Sequence, residues 1–178
     1  MTRILGAILG GGRSSRFGSD KALAMLDGVA LIDRVAAALG QQVDALIVVG
    51  RSHPGLTAVA DRPAPDLGPL GGIAGALHHA AAGGFDQLLT VPCDAPFLPY
   101  DLRRRLAAAG PAAFLGDLPV IGWWPAAAAP VLDHLLDGGG SRSVRAFADR
   151  IGAVAVADAL IANVNTPDDL ARLAAQRD

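Results

Sequence analysis

Six apolar residues, Ile4 to Leu9, run without interruption into Gly10, Gly11 and Gly12. A continuous apolar run of this length reads as a strand buried on both faces, the kind a parallel sheet uses, and the glycines turn it into a backbone-rich loop. The loop continues through Arg13, Ser14, Ser15, Arg16, Phe17, Gly18, Ser19 and Asp20 to Lys21. Its glycines let the backbone approach a ligand closely, and its amides bind phosphate oxygens. Arg13, Arg16 and Lys21 add the positive charge that neutralises a triphosphate and stabilises the charge developing when pyrophosphate leaves. Lys21 is the one lysine of the chain, whose other long cationic side chains are arginines and whose acids are all aspartate.

No Gly-Lys-Ser or Gly-Lys-Thr follows the glycines, so this is not a Walker A loop and ATPase chemistry of that type is disfavoured. A dinucleotide-binding turn is the next alternative, with Arg51 placed to meet a 2′-phosphate. It lacks a catalytic partner, since Tyr100 is followed four residues on by Arg104 rather than lysine.

Downstream, apolar spacing predicts a helix over 30–39, a second buried strand over 45–49 and a third over 57–60. Proline and glycine crowd 62–72, and an alanine-rich helix is expected over 73–82. A strand over 87–91 and a helix over 100–109, stopped by Gly110 and Pro111, follow. The pattern then weakens to a strand over 120–124, helices over 126–136 and 144–150, and a late strand over 153–157. Thr166, Pro167 and Asp169 form a helix start, with cap, proline and first-turn acid in order. Strands alternating with helices predict an α/β fold, three-layer αβα and Rossmann-like, with a mostly parallel sheet and ligands at its carboxyl edge.

The length of 178 residues suits a single domain, 1–178, and no linker or repeat divides it. A net charge of −2, with Arg103, Arg104 and Arg105 as the one basic run, predicts no nucleic-acid partner; that run reads as a solvated helix face. The apolar segment after Arg3 is too short for a secretory signal, and the uncharged stretch 118–132 is shorter than a span and carries Pro119, Pro125 and Pro130. No membrane partner is expected. Cys93 stands alone, so no internal disulfide forms and a reducing, cytoplasmic setting is expected.

Four segments, in order, resemble the molybdenum cofactor guanylyltransferases, nucleotidyltransferases of glycosyltransferase-A-like fold. They are the loop from Leu9 to Lys21; Asp61 with Gly68-Pro69-Leu70-Gly71-Gly72; Pro92-Cys93-Asp94-Ala95-Pro96; and Asn163-Val164-Asn165-Thr166-Pro167-Asp168-Asp169-Leu170. Together they span nearly the whole chain. The resemblance implies transfer of GMP from GTP to the phosphate of molybdopterin, with Mg²⁺ as cofactor, GTP and molybdopterin as small-molecule partners, and room for transient partners from the cofactor pathway.

By the same resemblance, the guanine lies against the backbone of Leu9, Gly10, Gly11 and Gly12, and Arg16 and Lys21 face the phosphates. Asp61 contacts the nucleotide, and Asn163 and Asn165 line the pterin side. Asp94 is assigned to metal and nucleotide; phosphoryl-type transfer needs a carboxylate at a strand end to hold Mg²⁺ on substrate oxygens. Turn roles are the alternatives for Asp61, Asp94 and the two asparagines.

Cys93 reads as a small buried thiol rather than a nucleophile, because no Cys-His arrangement is visible. His53, His78, His79 and His134 lack metal-ligand spacing. Trp123 and Trp124 read as packing, with stacking of one ring on a pterin as the alternative. Two positions depart from the family pattern. Gly50 stands where an asparagine is frequent, and Leu118 stands where a polar residue precedes Pro-Leu, so no ligand contact is carried to either. The remaining rivals are a cytidylyltransferase for the same cofactor, a sugar-phosphate nucleotidyltransferase, and a nucleotide-binding module without turnover. Asp20 before Lys21 and Cys93 before Asp94 favour guanylyl transfer over cytidylyl transfer.

Overall fold

The computed structural model describes residues 1–11, 21–65, 67–138, 143–157, 161 and 169, and for Lys21 the backbone alone. Apart from Asp169, which is helical, the expected terminal helix lies outside the described residues.

Strand β1 (Ile4–Leu9) is buried along its whole length. After the glycine loop, β2 (Met25–Leu26) and β3 (Val29–Ala30) form a small hairpin. Its Asp27-Gly28 turn holds φ of 51° and 76°, the left-handed pair that a two-residue primed turn requires. Helix α1 (Leu31–Gly40) follows, then β4 (Ala45–Val49), β5 (Thr57–Val59), α2 (Pro69–Ala82) and β6 (Gln87–Pro92). The second half contains α3 (Leu102–Ala109), β7 (Ala113–Leu115), β8 (Gly122–Pro125), α4 (Ala129–Asp137), α5 (Val144–Arg150) and β9 (Val154–Val156).

Seven strands form one sheet in the order β5-β4-β1-β6-β8-β7-β9. Every neighbouring pair is parallel except the two made by β8. The strand alternation sends Leu5, Ala7 and Leu9 to the face covered by α2, α4 and α5, and Ile4 and Ile8 to the face covered by α1 and α3. This is the three-layer, mostly parallel arrangement that the alternating pattern predicts. No helix among the described residues is long and apolar enough to cross a membrane.

Small residues bring the layers close, as the alanine and glycine content suggests. A Cβ added to Gly75 of α2 would lie 2.2 Å from the Ala60 carbonyl oxygen, so the helix rests directly on the backbone leaving β5. One large cluster balances this economy of volume: Trp124 packs against Phe114 and Phe147, with ring centroids 6.3 and 5.4 Å away. Burying one such indole contributes roughly 4–6 kcal/mol at about 25 cal/mol per Å². Trp124 Nε1 donates to Thr90 Oγ1 at 2.9 Å, and that hydroxyl donates to the Val120 carbonyl at 2.7 Å, so the buried polar atoms are satisfied.

The starts of α2 and α3 differ from expectation, each for its own reason. Helix α2 starts four residues early, at Pro69, because proline's fixed φ suits the first helical position and Gly68, at φ 66°, turns the chain into it. Helix α3 starts two residues late. Asp101 at its head binds Arg104 and Arg105, at 3.0 and 2.8 Å, instead of capping, and the amide of Arg103 donates to Gln42 Oε1 at 3.0 Å. Both paired arginines are exposed, the solvated face that the basic run predicts.

Candidate active site

The three central parallel strands end in register, and one further backbone bond beyond each holds the residues that follow. Gly10 donates to Val49 O at 2.9 Å, Gly50 to Val59 O at 3.0 Å and Cys93 to Leu9 O at 3.1 Å. Gly10, Gly50 and Cys93 therefore lie side by side at the carboxyl edge, the edge where ligands gather in open α/β sheets. Asp61 comes in from β5 at one flank, and Asp94 follows Cys93 on the other side of β1.

Around Asp61 the chain has removed side chains. A Cβ on Gly50 would lie 3.3 Å from Asp61 Oδ1, one on Gly72 3.8 Å, and one on Gly11 3.9 Å from both carboxylate oxygens. The carboxylate thus sits in a glycine-walled slot. Arg62 N donates to Gly71 O at 3.0 Å and ties the slot to the start of α2. Gly71 and Gly72 serve this close approach of helix and loop. A cleft of about 1080 Å³ opens above, lined by Leu9, Gly11, Gly50, Arg51, Asp61 and Gly72 among others.

Gly50 and Gly11 touch through their backbones. Gly50 holds φ 77°, and a Cβ there would lie 2.8 Å from Gly11 Cα. The departure from asparagine at this position has a physical reason, because no side chain fits between the two strand ends. Arg51, next along, lays its stem across Gly10: a Cβ on Gly10 would lie 2.3 Å from Arg51 Cδ and 2.7 Å from Cγ.

Of the residues singled out from sequence, Leu9, Gly10, Gly11, Asp61 and Asp94 lie together at this edge. Asp94 is half-buried. Lys21 opens a short 3-10 turn, Lys21–Leu23, whose Ala22 is buried in the core on the α1 face. Gly12, Arg13, Arg16, Asn163 and Asn165 lie outside the described residues. Arg51 entered the sequence reading through the dinucleotide alternative alone; its placement over Gly10 had no local signal. Trp123 and Trp124 are both buried, so neither ring is open to stack on a ligand. His53 pairs with Asp33 and His78 with Asp133, each at 2.8 Å, as ordinary structural histidines do. Cys93 is half-buried against the α1-side core.

Residues 6–154 match the family model of the MobA-like NTP transferase domain. The chain belongs to this family. This MobA-like chain is 42% identical over 183 residues to a molybdenum cofactor guanylyltransferase of Rhodobacter capsulatus, covering 96% of the chain and 94% of that protein. It is 39% identical to the protein of the same name from Sinorhizobium fredii, over 92% and 87% of the two lengths. The fold matches a crystal structure of molybdopterin-guanine dinucleotide biosynthesis protein A from Archaeoglobus fulgidus, with TM-score 0.76, 24% identity and coverage of 97% and 98%. It also matches 2-C-methyl-D-erythritol 4-phosphate cytidylyltransferase from Thermus thermophilus, with TM-score 0.71, 14% identity and coverage of 99% and 98%. The MobA-like chain is thus a nucleotidyltransferase built on the scaffold its sequence resembles.

Proposed function

We propose that the chain transfers GMP from GTP to the terminal phosphate of molybdopterin, forming molybdopterin guanine dinucleotide and releasing pyrophosphate. The observation that carries this reading is the Asp61 carboxylate in its glycine slot beside Gly11. A carboxylate accepts from two parallel donors, and guanine presents N1–H and N2–H₂ side by side where adenine presents an acceptor at N1. The base lies along the Leu9 to Gly12 backbone with that edge toward Asp61. Relatives of the same name along nearly the full length support the same choice.

The phosphates follow the glycine loop, whose amides and whose Arg16 and Lys21 neutralise them and hold the α-phosphorus for in-line attack. An oxygen of the acceptor phosphate forms the new P–O bond as the α–β bridge breaks, and pyrophosphate leaves with the bond's electron pair. Nothing covalent forms on the protein, so positioning and charge account for the rate. Asp94 would hold Mg²⁺ against the phosphates. Among the described residues no three His, Cys or Asp side chains gather into a metal cage. A single strand-end carboxylate beside a phosphate loop suits Mg²⁺, which keeps waters and substrate oxygens as its other ligands. Bound there, the ion would neutralise charge on the leaving pyrophosphate. Asn163 and Asn165 line the acceptor side. The work is placed in the cytoplasm, where the lone thiol of Cys93 stays reduced.

Pyrophosphate release measured with molybdopterin, Mg²⁺ and each of GTP, CTP and ATP tests this reading. GTP is expected to be used at least about tenfold better than either rival, the effect of one misplaced charge-assisted hydrogen bond. Equal use of CTP would return the chain to the cytidylyl branch, and no turnover with any nucleotide would leave a binding module.

A further inference from the structure

We propose that Arg51 is a phosphate-binding arm of the nucleotide site, holding the polyphosphate chain from the β4 side of the Gly10–Gly11 backbone. The proposal rests on the reading of the cleft as a nucleoside triphosphate site and adds a residue that the mechanism above does not use. Because Gly50 offers no side chain, Arg51 is the first side chain past the carboxyl end of β4. Its backbone is fixed on both sides: Gly50 N donates to Val59 O at 3.0 Å, and His53 Nε2 lies 2.8 Å from Asp33 Oδ1 in the first turn of α1.

The stem occupies the space that any side chain at position 10 would need, with Cδ 2.3 Å from where that Cβ would stand. It therefore runs from β4 toward β1, and β6, which Cys93 and Asp94 follow, is the next strand on the far side of β1. The same point above Gly10 is 3.4 Å from Val48 Cγ2, a residue of the α1-side core, and Ala22, where the glycine loop returns, lies in that core too. Gly11 faces the other way, toward Asp61. The Gly10–Gly11 backbone thus divides the site. The Asp61 carboxylate that suits a base lies beside the start of α2, and the stem of Arg51 crosses Gly10 on the α1 side, where Val48 and Ala22 lie. Among the described residues lining the cleft, Arg51 is the one cation. Its planar fork matches two phosphate oxygens, which a lysine head does not.

The test is the Kd of GTP, GDP, GMP and guanosine, with Mg²⁺, for the full chain and for Arg51→Met and Arg51→Lys, with melting temperatures recorded. Methionine keeps an apolar stem over Gly10 and removes the charge. The expected result is a loss of about tenfold or more for GTP with Arg51→Met, shrinking along the series to within about twofold for guanosine. Arg51→Lys is expected to recover part of the GTP affinity. An equal loss for all four ligands, or no loss for GTP, would overturn the proposal; a uniform loss with a lowered melting temperature means that Arg51 only shapes the pocket. If the wild-type chain prefers CTP, the base assignment fails while Arg51 stands, and the same series run with CTP, CDP, CMP and cytidine decides the arm.

Discussion

Gly11 and Gly50 meet backbone to backbone at the carboxyl edge of the sheet, so closely that a Cβ on Gly50 would lie 2.8 Å from Gly11 Cα. The contact locks the glycine loop of β1 to the end of β4. Gly50 also holds φ 77°, a conformation that costs other residues roughly 1–2 kcal/mol. Gly50→Ala is therefore expected to destabilise the chain by at least about 2 kcal/mol and to raise KM for GTP, because Gly11 moves. Gly50→Asn restores the residue frequent in the family and is expected to fare no better here. Denaturant midpoints and steady-state kinetics check both.

Asp61 lies in the slot these glycines leave. Asp61→Asn keeps its shape and replaces one acceptor oxygen by a donor, which in the proposed pose would face the donors of guanine. The kcat/KM for GTP is expected to fall about 10- to 100-fold, as losing a charge-assisted hydrogen bond does, while that for ATP is expected to change little. Competition between the two nucleotides reads the loss of selectivity directly. An unchanged ratio would remove Asp61 from base recognition.

Much of this geometry was legible because it is written in local pattern. The continuous apolar runs at 4–9 and 45–49 appear as β1 and β4 at those bounds, and the glycines after β1 lie at the sheet's carboxyl edge as a strand-to-loop junction should. Strand β7 was not foreseen: three residues, Ala113–Leu115, between Pro111 and Gly116 carry no usable period, and pairing with β8 and β9 makes them a strand. The hairpin of β2 and β3, two residues a side, escaped for the same reason. The glycines up to Gly72 read as turn punctuation, yet Gly71 and Gly72 belong to α2, and Gly75, inside the expected helix, is a glycine because the Ala60 carbonyl leaves no room for a methyl. That contact joins residues far apart in sequence, and no window of neighbours shows it. Arg51 over Gly10 is non-local in the same sense.

Acid stability should reveal the head of α3. The Arg105 guanidinium, hydrogen-bonded to Asp101, holds its carboxyl below the ordinary range against the opposing effect of burial, and Arg104 adds to the lowering. A carboxyl depressed in the folded state contributes stability above its unfolded pKa, roughly 3.9, and loses it as pH falls through the lower folded value. Asp101→Asn is expected to leave the pH dependence of unfolding flatter below about pH 4 and unchanged in slope near pH 7. Melting curves between these limits check it. The nucleotide affinity of this variant should match the wild type, since Asp101 binds Arg104 and Arg105 away from the cleft lining.

The central claim is that the loop ending at Lys21 and the carboxylate of Asp94 act on one triphosphate. Steady-state pyrophosphate release from GTP and molybdopterin by Lys21→Ala and by Asp94→Ala, each purified and shown to melt like the wild type, measures this most directly. The account predicts that each loses roughly 10²–10³-fold in kcat/KM or more, the scale of removing one preorganised charge from a transition state. Near-normal release by either folded variant would contradict it.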